Sequence, residues 1–239
     1  MITGPSFLDD EAFDEVLPRY ERERSRHYWT PVAVGERVTA AFRTRGVRRV
    51  LDVGCGPGKF CIVAGSLAPG LEVHGMERRP RLVRLGKRLV RDFGVRNVHL
   101  TTGDATKTPW DGFDGLYFYN PFSESTFAPE DRFDDLVDHS TMRFGEELLR
   151  VKYALTRAAR GTLVVTYHGL GGPIPSSYEL VAEERAGTDK IRTWAKGPDR
   201  ATDWVWLETL HQVVRISRTH IRSALARLMC DEPGRSTLS

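Results

Sequence analysis

Ten residues, Leu51-Asp-Val-Gly-Cys-Gly-Pro-Gly-Lys-Phe60, constrain this chain more than any other stretch. A short apolar run (VLDV) leads into glycines at alternate positions, Gly54, Gly56 and Gly58, and a helical segment (KFCIVAG) follows. Glycine tolerates positive φ and lets the backbone approach a ligand closely, so the stretch reads as strand, tight turn and helix.

The surrounding sequence repeats this alternation. Apolar runs at 48–53, 71–76, 97–101, 114–119 and 161–167 read as strands, and 59–67, 80–92 and 142–160 as helices between them. That order predicts an α/β chain with a doubly wound, mostly parallel sheet and helices on both faces. Residues 178–184 and 190–196 flank an Ala-Gly-Thr turn and are expected to form an antiparallel hairpin that closes the sheet. Upstream, 7–17 reads as a short helix ending at Pro18. A second helix spans 31–44, with Thr30 as its N-cap and Pro31 in its first turn. The tail past Gly197 interleaves apolar and basic residues from about 204 to 229 and is expected to add one helix. The expected organisation is an N-terminal helical extension (1–26), a ligand-binding domain (27–197) and a helical tail (198–239).

Composition narrows the setting. No run approaches the roughly 20 apolar residues of a membrane span, and the acidic N-terminus lacks an apolar signal core, so a cytoplasmic chain with no membrane partner is expected. The three cysteines, Cys55, Cys61 and Cys230, form no CxxC pair, and no residues have metal-ligand spacing in sequence, so no metal is expected. A net charge of +3 does not by itself imply a nucleic-acid partner. The basic stretch Arg78–Arg91 keeps that possibility open, although its leucines on one face read as a surface helix. Oligomeric state is not legible.

Spacing discriminates among glycine-loop ligands. The dinucleotide fingerprint GxGxxG fails because the third glycine falls one position early, where Lys59 takes its place. The phosphate loop GxxxxGK[ST] fails because Phe60 replaces the hydroxyl. Asp52, just before the loop, disfavours a pyrophosphate and suits a ligand carrying an ammonium and a sulfonium. Glu77 ends the second strand, where a carboxylate can accept from both ribose hydroxyls. Asp104 and Ala105 follow the third.

Asp52-Val-Gly54-Cys-Gly56-Pro-Gly58 resembles the first motif of class I S-adenosylmethionine-dependent methyltransferases, a family with a seven-stranded sheet and a terminal antiparallel hairpin. The resemblance covers residues 27 to about 197. It implies S-adenosylmethionine as cofactor, held by Asp52, Gly54, Cys55, Gly56 and Gly58, with Glu77 at the ribose, Asp104 and Ala105 at the adenine, and Arg78 packing on the adenine. His27-Tyr-Trp-Thr-Pro31 resembles the Thr-Pro element of amino-group methyltransferases, in which Thr30 contacts the donor's methionine portion while Tyr28 and Trp29 shield the methyl. Asn120-Pro121-Phe122, after the fourth strand, resembles the (N/D)PP(Y/F) motif of methyltransferases acting on planar amines and glutamine side chains, but lacks its second proline. An Asn followed by an aromatic is also similar, more loosely, to the seven-stranded histone lysine methyltransferases. Asn120, Pro121 and Phe122 are therefore the candidate catalytic residues, with Tyr119 and His168 as further contacts to an unidentified methyl acceptor, expected to be a nitrogen. Two other readings stand beside this one: an NAD(P)-dependent oxidoreductase, and a non-catalytic module binding an adenosyl ligand.

Overall fold

The computed structural model describes residues 9–203 apart from 135, 136 and 138; the expected tail helix lies outside the described residues. Seven strands form one sheet in the order β3-β2-β1-β4-β5-β7-β6. They are β1 (Arg49–Val53), β2 (Glu72–Glu77), β3 (Val98–Thr102), β4 (Gly115–Tyr119), β5 (Leu163–Tyr167), β6 (Tyr178–Ala186) and β7 (Asp189–Lys196). The first five are parallel, and β7 runs antiparallel to both β5 and β6. The order reverses between β1 and β4, which opens a crevice above the strand C-termini, where doubly wound sheets take their ligands.

Helices α3 (Val32–Thr44), α4 (Lys59–Leu67) and α5 (Pro80–Asp92) lie against one face, and α6 (Thr141–Arg157) against the other. Val50, Val73, Val98 and Val165 meet Val38, Phe42, Phe60 and Ala64 on the first face. Leu116, Phe118 and Val164 meet Phe144, Leu148 and Val151 on the second. Alternate residues of β1, β4 and β5 thus feed opposite cores, as the two-residue period of strands covered on both faces requires.

Two N-terminal features depart from expectation. Of the helix expected over 7–17, the described residues from 9 onward form a short one, α1 (Asp10–Asp14), while the charged run after Pro18, with no stretch of consecutive apolar residues, forms α2 (Arg19–Tyr28). And α3 starts at Val32 with Pro31 in the cap position, not Thr30. The Thr30 hydroxyl is drawn instead to the buried Tyr117 hydroxyl, 2.9 Å away, and the Val32 N–H is satisfied by Asp10 Oδ1 at 2.9 Å. A carboxylate from another helix thus supplies the cap that local sequence assigned to threonine.

Candidate functional site

A cavity of about 340 Å³ sits over the crevice. Val53, Gly54 and Gly56 line it after β1, Met76 to Arg79 after β2, and Ala105 and Thr106 after β3. Tyr119 to Glu124 after β4 and His168 after β5 complete the rim, and His27, Tyr28 and Trp29 roof it from the end of α2.

The glycines are needed twice over. Gly56 has φ +56°, and a Cβ there would lie 2.6 Å from Trp29 Nε1; Gly54 has φ +79°, and a Cβ would lie 2.8 Å from Pro121 Cβ. The bare backbone therefore admits two other walls of the same cavity, the α2 end and the β4 end, as well as a ligand.

Glu77 fixes the loop. Its Oε2 accepts the Gly56 N–H at 3.1 Å and its Oε1 accepts the Arg79 N–H at 2.9 Å. Burial pushes this carboxyl up, and the two N–H donors and the nearby Arg79 guanidinium pull back toward the charged form. The cations at the rim are already matched. Arg78 Nη2 lies 2.6 Å from Glu147, and Arg79 reaches Glu124 at 2.7 Å and Asp134 at 3.0 Å. Through these ion pairs Arg79 ties the short turns after β4 to Glu77, and Phe127 and Phe133 from that segment join Tyr28 in edge-on ring contacts.

Most of the residues singled out by sequence converge here: Gly54, Gly56, Glu77, Arg78, Ala105, Tyr28, Trp29, Tyr119, Asn120, Pro121, Phe122 and His168 all line the cavity. Thr30, Asp52, Cys55, Gly58 and Asp104 are not among its lining residues. Asp52 is buried beneath the loop, where its Oδ2 accepts from the Cys61 thiol at 3.3 Å; burial raises its pKa to about 7. Asp104 turns back to accept from the N–H and hydroxyl of Thr106, at 3.0 and 2.7 Å, and pairs with Arg143. Burial pushes its carboxyl up, but those hydrogen bonds and Arg78 prevail and hold it below the usual aspartate range. Both acids organise loops around the cavity.

At the end of β4, Asn120 adopts φ +37° with its N–H donated to Gly169 O at 3.1 Å, an uncommon conformation for a non-glycine residue. His168 also has positive φ, +57°; its Nδ1 lies 3.2 Å from Asp189 and its Nε2 3.1 Å from the Thr188 hydroxyl. Burial pushes Tyr119 up to about 12, so it stays a neutral phenol. Sequence reasoning missed Arg79, Glu124, Phe127 and Phe133. Their roles come from pairings between segments far apart in the chain, and no local spacing announces them.

This topology, with its loop and acidic strand end, defines the class I methyltransferase fold. Residues 46–142 match the family described as a methyltransferase domain. Among curated proteins, the chain is 33% identical over 119 residues to a tRNA (guanine(10)-N2)-dimethyltransferase of Pyrococcus abyssi, covering 47% of this chain and 36% of that one. It is 29% identical over 138 residues to the aklanonic acid methyltransferase DauC of a Streptomyces species, covering 54% and 60%. The chain spans about a third of the length of the first relatives it matches. Among solved structures, the PH0226 protein of Pyrococcus horikoshii aligns with TM-score 0.50 at 18% identity, over 78% of this chain and 99% of that one, a likeness of fold. Among the described residues no helix is long and apolar enough to cross a membrane.

Proposed function

We propose that the chain uses S-adenosylmethionine to methylate a nitrogen of an acceptor held beside Asn120. The observation that carries the donor assignment is the hydrogen bond from Gly56 N–H to Glu77. In a dinucleotide site the glycine-loop N–H groups face a pyrophosphate; here a carboxylate takes that donor, and Arg78 and Arg79 are already paired. An anionic ligand would meet repulsion, whereas a neutral ribose or a cationic ligand would not. This disfavours the oxidoreductase reading.

When bound, the cofactor supplies an electrophilic methyl on a sulfonium. The residues of the chain do the rest. The free lone pairs of Glu77 would accept from ribose hydroxyls, Ala105 and Met76 would flank the adenine, and Trp29 and Tyr28 would keep water from the methyl. Asn120 and Pro121 orient the acceptor nitrogen for in-line displacement, Phe122 packs on its plane, and His168, with Nδ1 on Asp189, takes the proton that nitrogen sheds once its Nε2 exchanges the Thr188 hydroxyl for the acceptor N–H. Nitrogen is favoured by the Asn-Pro-Phe sequence and by the guanine N2 in the name of the Pyrococcus abyssi relative.

Transfer of a labelled methyl group into fractionated cell extract tests this. A base-stable methyl product is expected, with Asn120→Ala slowing transfer on the order of 100-fold while leaving donor affinity nearly unchanged. A base-labile methyl ester would overturn the nitrogen assignment, and undiminished transfer in Asn120→Ala would remove that residue from the mechanism. Donor binding itself is read by calorimetry: no heat with the donor or its demethylated product would sink the assignment altogether.

A further inference from the structure

We infer that the open face of β2 and β3 holds a transition-metal site built from Glu72, His74 and His99, separate from the methyl-donor cavity. The period of a strand puts Glu72 and His74 on one face of β2, and the parallel register sets His74 directly beside His99 of β3. Their three ligand atoms lie within 4.8 Å of one another. Glu72 Oε1 is 2.7 Å from His74 Nε2 and 4.0 Å from His99 Nε2. Tetrahedral zinc with nitrogen and oxygen ligands near 2.0 Å sets such atoms about 3.3 Å apart, so the two carboxylate–imidazole separations need to change by only about 0.7 Å. Rotating two imidazoles, whose rings now stand 4.9 Å apart, is enough.

The surroundings support ligation. Arg49 Nε lies 3.0 Å from the other carboxylate oxygen, Oε2, an ion pair that leaves Oε1 beside the histidines. Phe113 packs edge-on against the His74 ring at 5.2 Å and shields one side of it from water. This face is accessible because the β3–β4 connection carries only a 3₁₀ turn, Ala105–Lys107, instead of a covering helix. Two imidazoles and one carboxylate suit zinc, cobalt or nickel rather than magnesium or calcium, and leave a fourth position for water. The positive charge of Arg49 opposes the cation, so the expected affinity is on the order of micromolar. Glu72 and His74 precede Glu77 on the same strand, so the ion would sit about 10–17 Å from the donor cavity and clamp edge strand β3 to β2. Sequence spacing gives no sign of it, because the third ligand comes from a different strand.

Zinc titration of the full chain, freed of any affinity tag and followed by calorimetry, tests the site. One equivalent is expected to bind, weakened roughly tenfold or more by His99→Ala and by Glu72→Gln and unaffected by His139→Ala. Cobalt is expected to give a visible d–d band with the wild-type chain, and zinc to shift the ring resonances of His74 and His99, readouts that need no variant to fold. Absence of saturable binding below about 100 µM, or one-equivalent binding that survives both ligand substitutions, would overturn the proposal.

Discussion

Asp52 shows how a residue's neighbours redirect its chemistry. Its place before the glycines suggests a carboxylate facing a cationic ligand, yet it lies under the loop against Cys61, 4% exposed. With its pKa raised to about 7 from the usual 3.8, folded Asp52 keeps a proton at pH values where the unfolded chain has lost it. The folded state therefore binds the extra proton between about pH 4 and 7, and stability falls as pH rises through that window. The effect is on the order of 4 kcal/mol. Asp52→Asn is expected to flatten this part of the profile, measured by urea denaturation from pH 4 to 8; an unchanged slope would show that the proton is held elsewhere. Below pH 7 a largely protonated Asp52 also explains how two acids, 52 and 77, are accommodated around one loop.

At the scale of elements, the N-terminal helices are held by a buried ion cluster as well as by apolar packing. Lys59, the first residue of α4, is 1% exposed and reaches Asp14 at 2.7 Å, Asp10 at 2.8 Å and Ser25 at 3.1 Å. Phe13, Leu17 and Trp29 pack beside it against Ile62 and Val63. The lysine that displaced a third glycine from the dinucleotide spacing thus docks α1 and α2 and sets the height of the Tyr28–Trp29 roof. Lys59→Met leaves Asp14 buried without its cation, a change that typically costs about 3–5 kcal/mol. For a chain of this size the melting temperature is expected to fall by roughly 10 °C. Pairing it with Asp14→Leu should recover much of that loss; equal melting temperatures for wild type and Lys59→Met would mean that the cluster contributes nothing. The helix boundaries show the same division between local and distant causes. The ends of α4 and α5 agree with the sequence reading at 59–67 and 80–92, because a glycine loop and a proline punctuate them. α2 went unassigned because its local sequence is almost wholly polar, and its folding depends on Asp14, Lys59 and the aromatic cluster.

Over the whole molecule, the cavity draws its walls from the end of α2 and from the loops after β1, β2, β3, β4 and β5. A ligand filling it bridges both halves of the sheet and binds only the folded chain. At a hundredfold excess over its dissociation constant, the demethylated donor product is expected to add about 2.7 kcal/mol and raise the melting temperature by roughly 5–10 °C. Differential scanning calorimetry checks this, and NAD at equal concentration should give no shift. By itself the sequence determined the alternation of strands and helices, the hairpin at the sheet's end and the strand termini that would meet a ligand, because periodicity and glycine spacing are properties of neighbouring residues. Only the tertiary structure decided which acids face the cavity, what caps α3, how Arg79 ties the turns after β4 to Glu77, and that two histidines and a glutamate meet on an open face. Each depends on groups brought together across the chain, where burial and the nearest donor, not local spacing, set the direction and charge of a side chain.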